Sequence, residues 1–215
     1  VNGNTGAYVS GVQLGATGAL AGVSSTAATF DGTSGLLASS AQFANPTTYT
    51  EELWFATTTT NGGKLIGFGS NATGTSGSYD RHVYMENDGR LTFCTWTGFT
   101  NTITSPAAYN DGAWHHMVAT QSSVGMRLYL DGELVAWGSQ TSAQDYTGYW
   151  RVGGDTKAAR DVEVATVEIL EFRNLAQMSC DRFFCLFQER VVEICRVPVR
   201  RRPGGRKLPF GEMPG

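Results

Sequence analysis

Two neighbouring histidines are the side chains most suggestive of chemistry, but their spacing argues against a shared metal. His115 and His116 are adjacent, and neighbouring side chains on a strand point to opposite faces. A zinc site needs three or four converging ligands, and the only other histidine is His82. We therefore expect one buried, hydrogen-bonded histidine and one surface histidine at positions 115 and 116.

The carboxylates and serines form no catalytic pattern. Glu51 and Glu52 are adjacent, whereas Glu86 and Asp88 lie at a turn. The sequence contains no Gly-x-Ser-x-Gly elbow, which presents a nucleophilic serine, and no Gly-rich phosphate loop before a helix. The sequence therefore predicts a protein that is not an enzyme.

Aromatic residues are the other distinctive group, because flat rings stack on sugar faces while their polar edges form hydrogen bonds. Trp96 and Phe99 flank a glycine in a turn, so we expect them to be the most exposed rings. Packing in the core or in hairpins is the alternative for most of the rings. The aromatic residues considered are Trp96, Phe99, Tyr109, Trp137, Tyr146, Tyr149 and Trp150, and the predicted ligand-binding set is Trp96, Phe99, Tyr109, Tyr146 and Trp150.

These candidates lie on short strands joined by tight turns. Residues 49–60 are rich in β-branched and aromatic residues, which favours a strand. Asn87-Asp88-Gly89 and Asp131-Gly132 each separate two such segments, and the second fits a type I′ hairpin. Turn signals recur about every 8–12 residues, and no helical periodicity is sustained before residue 160. The pattern predicts an all-β fold, an antiparallel two-sheet β-sandwich.

Charge separates the chain into two parts. The net charge is −3, which argues against a general affinity for nucleic acid. Residues 1–150 have a balance of −6, whereas residues 151–215 have a balance of +3 and contain three of the four cysteines. No apolar run approaches the ~20 residues that a membrane-spanning helix needs, so no membrane span is expected.

Several segments resemble the laminin-G-like modules found in exported bacterial proteins. They are residues 30–32 (FDG), residues 88–93 (DGRLTF), residues 111–120 (DGAWHHMVAT), residues 126–136 (MRLYLDGELVA) and residues 145–155 (DYTGYWRVGGD). The resemblance covers roughly residues 7–155 and implies a concanavalin A-like jelly roll. That fold hosts lectins, adhesion modules and hydrolases, so it is specific for fold more than for function.

The resemblance implies a secreted recognition or adhesion module with carbohydrate as the ligand class. A structural spacer without a ligand and a degenerate glycoside hydrolase are the alternatives. Related hydrolases have a strand resembling E-x-D-x-x-E, and no such strand occurs here. The chain begins at Val1 with no visible signal peptide, so we expect a piece of a larger multidomain exported protein.

The resemblance also implies calcium, because laminin-G-like modules often bind it through aspartate side chains and backbone carbonyls. The metal candidates are Asp31, Asp80 and Asp155, with turn capping by the same side chains as the alternative.

The domain boundary is expected near residue 175. Residues 1–175 form the sandwich, and residues 176–215 form a divergent, basic, cysteine-containing tail that we expect to be poorly ordered. The change of composition after about Asp155 has two possible origins, a shifted reading frame and ordinary divergence.

Overall fold

The computed structural model describes residues 5–22, 24 and 26–154, and the backbone of residues 166–168. Within these residues it contains fifteen β-strands and no helix. The strands are β1 (Gly6–Ser10), β2 (Val12–Thr17), β3 (Thr26–Phe30), β4 (Leu36–Ser39), β5 (Phe43–Ala44), β6 (Tyr49–Ala56), β7 (Gly63–Gly69), β8 (Tyr79–Met85), β9 (Arg90–Trp96), β10 (Thr100–Ala108), β11 (His115–Ser122), β12 (Gly125–Leu130), β13 (Glu133–Gly138), β14 (Thr147–Gly153) and β15 (Thr166–Glu168).

The strands form two antiparallel sheets. Sheet A has the order β1-β4-β14-β7-β8-β9-β10, and β5 pairs with the start of β14. Sheet B has the order β13-β12-β11-β6-β15-β3-β2. The predicted all-β sandwich is therefore confirmed, and no helix in the described part of the chain offers a long apolar span for a bilayer.

The core lies between the two sheets and is built by alternation along each strand. On β6, Tyr49, Glu51, Leu53 and Phe55 are buried and point into the core. The residues between them are half-buried and point to the outer face of sheet B. The Tyr49 ring lies 5.2 Å from the Trp150 ring of sheet A, measured between centroids. Each fully buried large apolar side chain contributes about 1.5–3 kcal/mol relative to exposure, so this facing pair of layers is the main source of stability.

Two predicted hairpins are present with the backbone angles that their turns require. Asp131 and Gly132 both have positive φ, 52° and 87°, between β12 and β13, as expected for a type I′ turn. Gly89, with a φ of 84°, follows Asp88 between β8 and β9. Both turns have residue types that tolerate a positive φ, which is why the two hairpins could be predicted from the sequence.

The C-terminal predictions fall outside the described residues. These include the basic tail at 176–215 and the metal candidate Asp155. They stay predictions.

Candidate functional site

Trp96 and Phe99 lie together on the hairpin that joins β9 and β10. On β9, Leu91 and Phe93 point into the core, so alternation turns Trp96 to the outer face of sheet A. Trp96 is 41% exposed, and Phe99 in the turn is 63% exposed. The exposure predicted for these two rings is confirmed, whereas their contact with a ligand stays a prediction.

The hairpin tip is held in place by amide side chains. Asn101 Nδ2 donates to Thr97 Oγ1 at 3.0 Å and to the Phe99 carbonyl at 3.2 Å. Gln140 Nε2 donates in turn to Asn101 Oδ1 at 3.1 Å. The two rings therefore stand on a hairpin tied to the loop of residues 139–146, with amide groups beside them.

Beneath the hairpin lies a buried ion pair on β8. Arg81 Nη1 contacts Asp80 Oδ1 at 2.5 Å, and both side chains are almost completely shielded from solvent. The second carboxylate oxygen, Oδ2, accepts the backbone N–H groups of Gln144 at 2.8 Å and Trp96 at 3.4 Å. Burial raises the pKa of Asp80, and the Arg81 charge opposes that rise. The ion pair thus connects the base of the hairpin to the 139–146 loop.

Arg81 also fixes a third segment. Its Nε donates to the Pro46 carbonyl at 3.0 Å, and its Nη2 donates to Asn45 Oδ1 at 2.6 Å and to the Gln144 carbonyl at 3.0 Å. Hydrogen bonds from a charged donor are stronger than neutral ones. One guanidinium therefore orders the loops of residues 45–48 and 139–146 at this end of the sandwich.

The loops at this end are almost uncharged. They comprise residues 45–48, 70–78, 97–99, 123–124 and 139–146, and Asp145 is the one charged residue among them. Serine, threonine, asparagine and glutamine are frequent in these loops. The opposite end contains the carboxylates of Glu86, Asp88, Asp111 and Asp131 near its turns. The exposed rings therefore lie among neutral hydrogen-bonding groups.

Three of the predicted rings are not part of this exposed surface. Trp150 is 3% exposed and belongs to the core, so its prediction as a ligand-binding residue is wrong. The Tyr146 hydroxyl is held by the Asp80 N–H at 3.1 Å and lies 2.9 Å from the Phe68 carbonyl, so it stabilises the loop from below. Tyr109 follows the far end of β10 and packs edge-on against His115, at 5.0 Å between ring centroids.

Both neighbouring histidines have acidic partners. His116 is buried, and its Nε2 lies 3.0 Å from Glu52 Oε1. His115 Nδ1 lies 2.8 Å from Asp131 Oδ2, and its Nε2 lies 3.1 Å from Asp111 Oδ1. The expectation of a buried, hydrogen-bonded histidine is confirmed at His116. His115 is more enclosed than the predicted surface histidine, because its side chain is only 13% exposed.

The oxygen atoms of Asp31 and Asp80 do not fit a calcium ion. Asp31 Oδ1 accepts the N–H groups of Thr33, Ser34 and Gly35 at 2.7–2.9 Å, and Oδ2 accepts the Ser34 hydroxyl at 2.7 Å. These hydrogen bonds, chiefly that from the Ser34 backbone, hold the Asp31 pKa well below its ordinary value. Asp80 is occupied by Arg81. In the described part of the chain, no three acidic, histidine or cysteine side chains gather around one point as a metal would need.

The fold and the sequence identify the family. The chain belongs to the concanavalin A-like lectin/glucanase superfamily, because a laminin-G-type family model of that description matches residues 30–173. The match confirms the resemblance seen in the motifs and extends it beyond residue 155. No curated protein matches the sequence.

Solved structures to which the chain is similar include carbohydrate-binding modules and a laminin. The CBM40 module of the Ruminococcus gnavus IT-sialidase, bound to α2,3-sialyllactose, has 21% identity and a TM-score of 0.45, covering 58% of this chain and 73% of that one. The CBM66 module from Bacillus subtilis has 15% identity and a TM-score of 0.46, covering 75% and 89%. Domains LG4-5 of the mouse laminin α1 chain have 21% identity and a TM-score of 0.43, covering 59% and 38%.

Proposed function

We propose that this protein is a non-catalytic carbohydrate-recognition module that binds a neutral saccharide at the Trp96–Phe99 end of the sandwich. The observation that carries the proposal is the pair of exposed rings on a hairpin fixed by Asn101 and Gln140. Aromatic faces stack on the apolar faces of sugars, and amide groups bond their hydroxyls. Membership of a superfamily that includes lectins agrees with this chemistry.

The scarcity of charge at this end supports both the ligand class and the absence of catalysis. A neutral sugar needs no charged partner, and Asp145 is the only charged residue in the described loops around the rings. Glycoside hydrolysis generally uses two carboxyl groups flanking the scissile bond. The described loops therefore contain one carboxylate where hydrolysis would use two.

We further propose that the module acts outside the cell, as part of a larger exported chain. The exported modules that its motifs resemble support this proposal. Detection of the parent protein in the culture medium or on the cell surface of its source, and not in the cytosol, would support it.

The first test is an array of neutral oligosaccharides probed with the wild-type protein and with Trp96→Ala and Phe99→Ala. We expect binding by the wild-type protein and a loss of at least about tenfold in affinity, about 1.4 kcal/mol, in each variant. Leu14→Ala is the control, because Leu14 is exposed on β2 and lies outside the hairpin. Titration calorimetry on the best glycan gives the affinities.

Three outcomes would count against the proposal. Silence of the wild-type protein across all neutral sugars would favour the structural spacer. Unchanged affinity in both hairpin variants would move the site elsewhere. Turnover of a β-glucan would contradict the non-catalytic assignment and revive the degenerate hydrolase.

The same array with EDTA tests the proposal of calcium at Asp155. Loss of binding with EDTA and its recovery with added calcium would support calcium in recognition, and the same loss in Asp155→Asn without EDTA would support Asp155 as a ligand. Unchanged binding would argue against calcium in recognition.

A further inference from the structure

A second exposed ring lies on the outer face of sheet B, away from the hairpin. Trp137 on β13 is 68% exposed, more than any other large apolar side chain in the described part of the chain. The register places Arg127 of β12 directly beside it, and the Arg127 guanidinium carbon lies 5.8 Å from the Trp137 ring centroid. We call these two side chains the Arg127–Trp137 patch.

The guanidinium of Arg127 is anchored by one nitrogen only. Nη1 donates to the Met126 carbonyl at 2.8 Å and approaches the Gly138 carbonyl at 3.5 Å. Within the described residues, Nε and Nη2 form no hydrogen bond. Two N–H donors on one edge of a guanidinium match the two oxygens of a carboxylate, so the anchored side chain presents a pre-formed fork.

Arg127 is also distinctive in its charge surroundings. Of the other basic residues in the described ranges, Lys64, Arg81 and Arg151 are buried. Arg90 reaches solvent, but its Nε pairs with Asp88 Oδ2 at 2.8 Å. Across the described part of the chain, Arg127 is therefore the solvent-accessible cation without a carboxylate partner.

Among the described side chains, the same face contains one further charged pair, which does not neutralise Arg127. Glu52 on β6 lies two strands from β12 and is bonded to His116 at 3.0 Å. The residue opposite Arg127 on β11 is Thr120, which is uncharged. The positive charge thus has a neutral neighbour on one side and, on the other, the exposed Trp137 indole, over whose ring the guanidinium lies.

We propose that the Arg127–Trp137 patch binds a carboxylate-bearing pyranose, with the sugar ring against the indole and the carboxylate on the Arg127 fork. The two groups are neighbours across one strand pair, about 5 Å apart at their Cβ atoms, which is the width of one sugar ring. The ring contact supplies apolar burial, and the ion pair discriminates acidic from neutral sugars. This second site differs from the proposed hairpin site in surface, in residues and in the charge of its ligand.

Titration calorimetry with tetragalacturonate and its fully methyl-esterified form tests the patch. The ester has the same ring faces but lacks the carboxylate charge. We expect the wild-type protein to bind the acid at least about tenfold more tightly than the ester, with an affinity that falls as salt is added. Arg127→Gln and Trp137→Ala should each lower the affinity for the acid at least about tenfold.

Two control variants distinguish binding at this patch from general charge attraction and from binding at the hairpin. Arg90→Gln removes an exposed arginine that is already paired, so it should leave binding unchanged. Trp96→Ala should also leave it unchanged, which distinguishes failure of this proposal from failure of the hairpin site. Absence of binding to tetragalacturonate and to the corresponding glucuronate and N-acetylneuraminate oligomers would overturn the proposal. Equal affinity for acid and ester, or full binding by Arg127→Gln, would overturn it as well.

Discussion

Replacing Arg81 with methionine is expected to lower the free energy of unfolding by about 3–5 kcal/mol, because it leaves the Asp80 carboxylate buried without its partner. Asp80 and Arg81 are both fully enclosed, and their contact is the shortest ion pair in the described structure. The substitution also removes the donors to Asn45 and to the Pro46 and Gln144 carbonyls. Three half-buried acceptors would then lose their charged donor, which adds to the loss of stability.

Urea denaturation measures this loss, with Arg90→Met as the matched control. Arg90 forms an ion pair with Asp88, but both side chains are about half exposed, so its removal should cost far less than the removal of Arg81. The double variant Asp80→Asn/Arg81→Met should recover part of the loss, because no unpaired charge remains buried. If Arg81→Met and Arg90→Met unfolded at similar urea concentrations, the buried Asp80–Arg81 pair would not contribute much to the stability of the fold.

The pH dependence of the Arg81→Met defect gives a second check. Burial already raises the Asp80 pKa, and Arg81 opposes the rise, so its removal should raise that pKa further. A carboxyl group with a raised pKa loses its contribution to stability as the pH rises through the folded-state value. The defect of Arg81→Met should therefore be smaller near about pH 5 than near about pH 8. The opposite trend would contradict the assignment of Asp80 as the uncompensated charge.

Arg81 also shows what sequence reasoning missed. Its φ of 51° is rare for a residue with a side chain, and the pairing of β7 with β8 shifts register around it. No local turn signal predicts such a bulge inside a strand, because the conformation is maintained by distant carbonyls from other loops. The resemblance implies that Asp80 is a metal ligand, whereas in the structure it is half of an ion pair with Arg81.

In the hairpin between β12 and β13, a bulge that the sequence does not predict also determines the position of the Arg127–Trp137 patch. Counting outward from Asp131-Gly132 pairs Tyr129 with Leu134, and this pairing is present. Simple counting would then place Trp137 on the inner face. A bulge after Leu134 shifts the register, so Arg127 pairs with Trp137 and the indole turns outward. The turn residues predict the hairpin, but no residue pattern in the sequence predicts the bulge.

Where a strand is regular, the alternation of its side chains between the two faces gives the correct position of each residue. This alternation explains why Trp150 is buried and why Glu51 and Glu52 lie on opposite faces. Trp150 lies opposite Phe68 on β7, so its ring enters the core with the ring of Phe68, 5.0 Å away. A single aromatic residue in a strand gives no sign of which face it occupies until a neighbouring register is known. On β6, Glu51 and Glu52 point to opposite faces, so the two adjacent carboxylates do not act as a pair.

Glu51, the glutamate that points into the core, is expected to destabilise the protein. At a pH above neutral, Glu51→Met should therefore raise the free energy of unfolding by about 1–3 kcal/mol. Glu51 is 2% exposed, it lies opposite Ala119 in the core, and neither carboxylate oxygen has a hydrogen-bond partner within the described structure. Burial raises its pKa well above the ordinary value, and the charges of Lys64 and Arg81 only partly oppose this.

The sign of the pH effect follows from that raised pKa. Folding takes up a proton at Glu51 between the unfolded value of about 4.3 and the higher folded value, so wild-type stability falls as the pH rises through this window. Glu51→Met has no such group, and its advantage should grow from about pH 5 to about pH 8 in urea denaturation. Glu133→Met, at an exposed position on β13, should stay within about 0.5 kcal/mol of wild type throughout. If the extra stability of Glu51→Met did not change with pH, it would come from packing of the new methionine. Glu51 would then have the same pKa in the folded protein as in the unfolded chain.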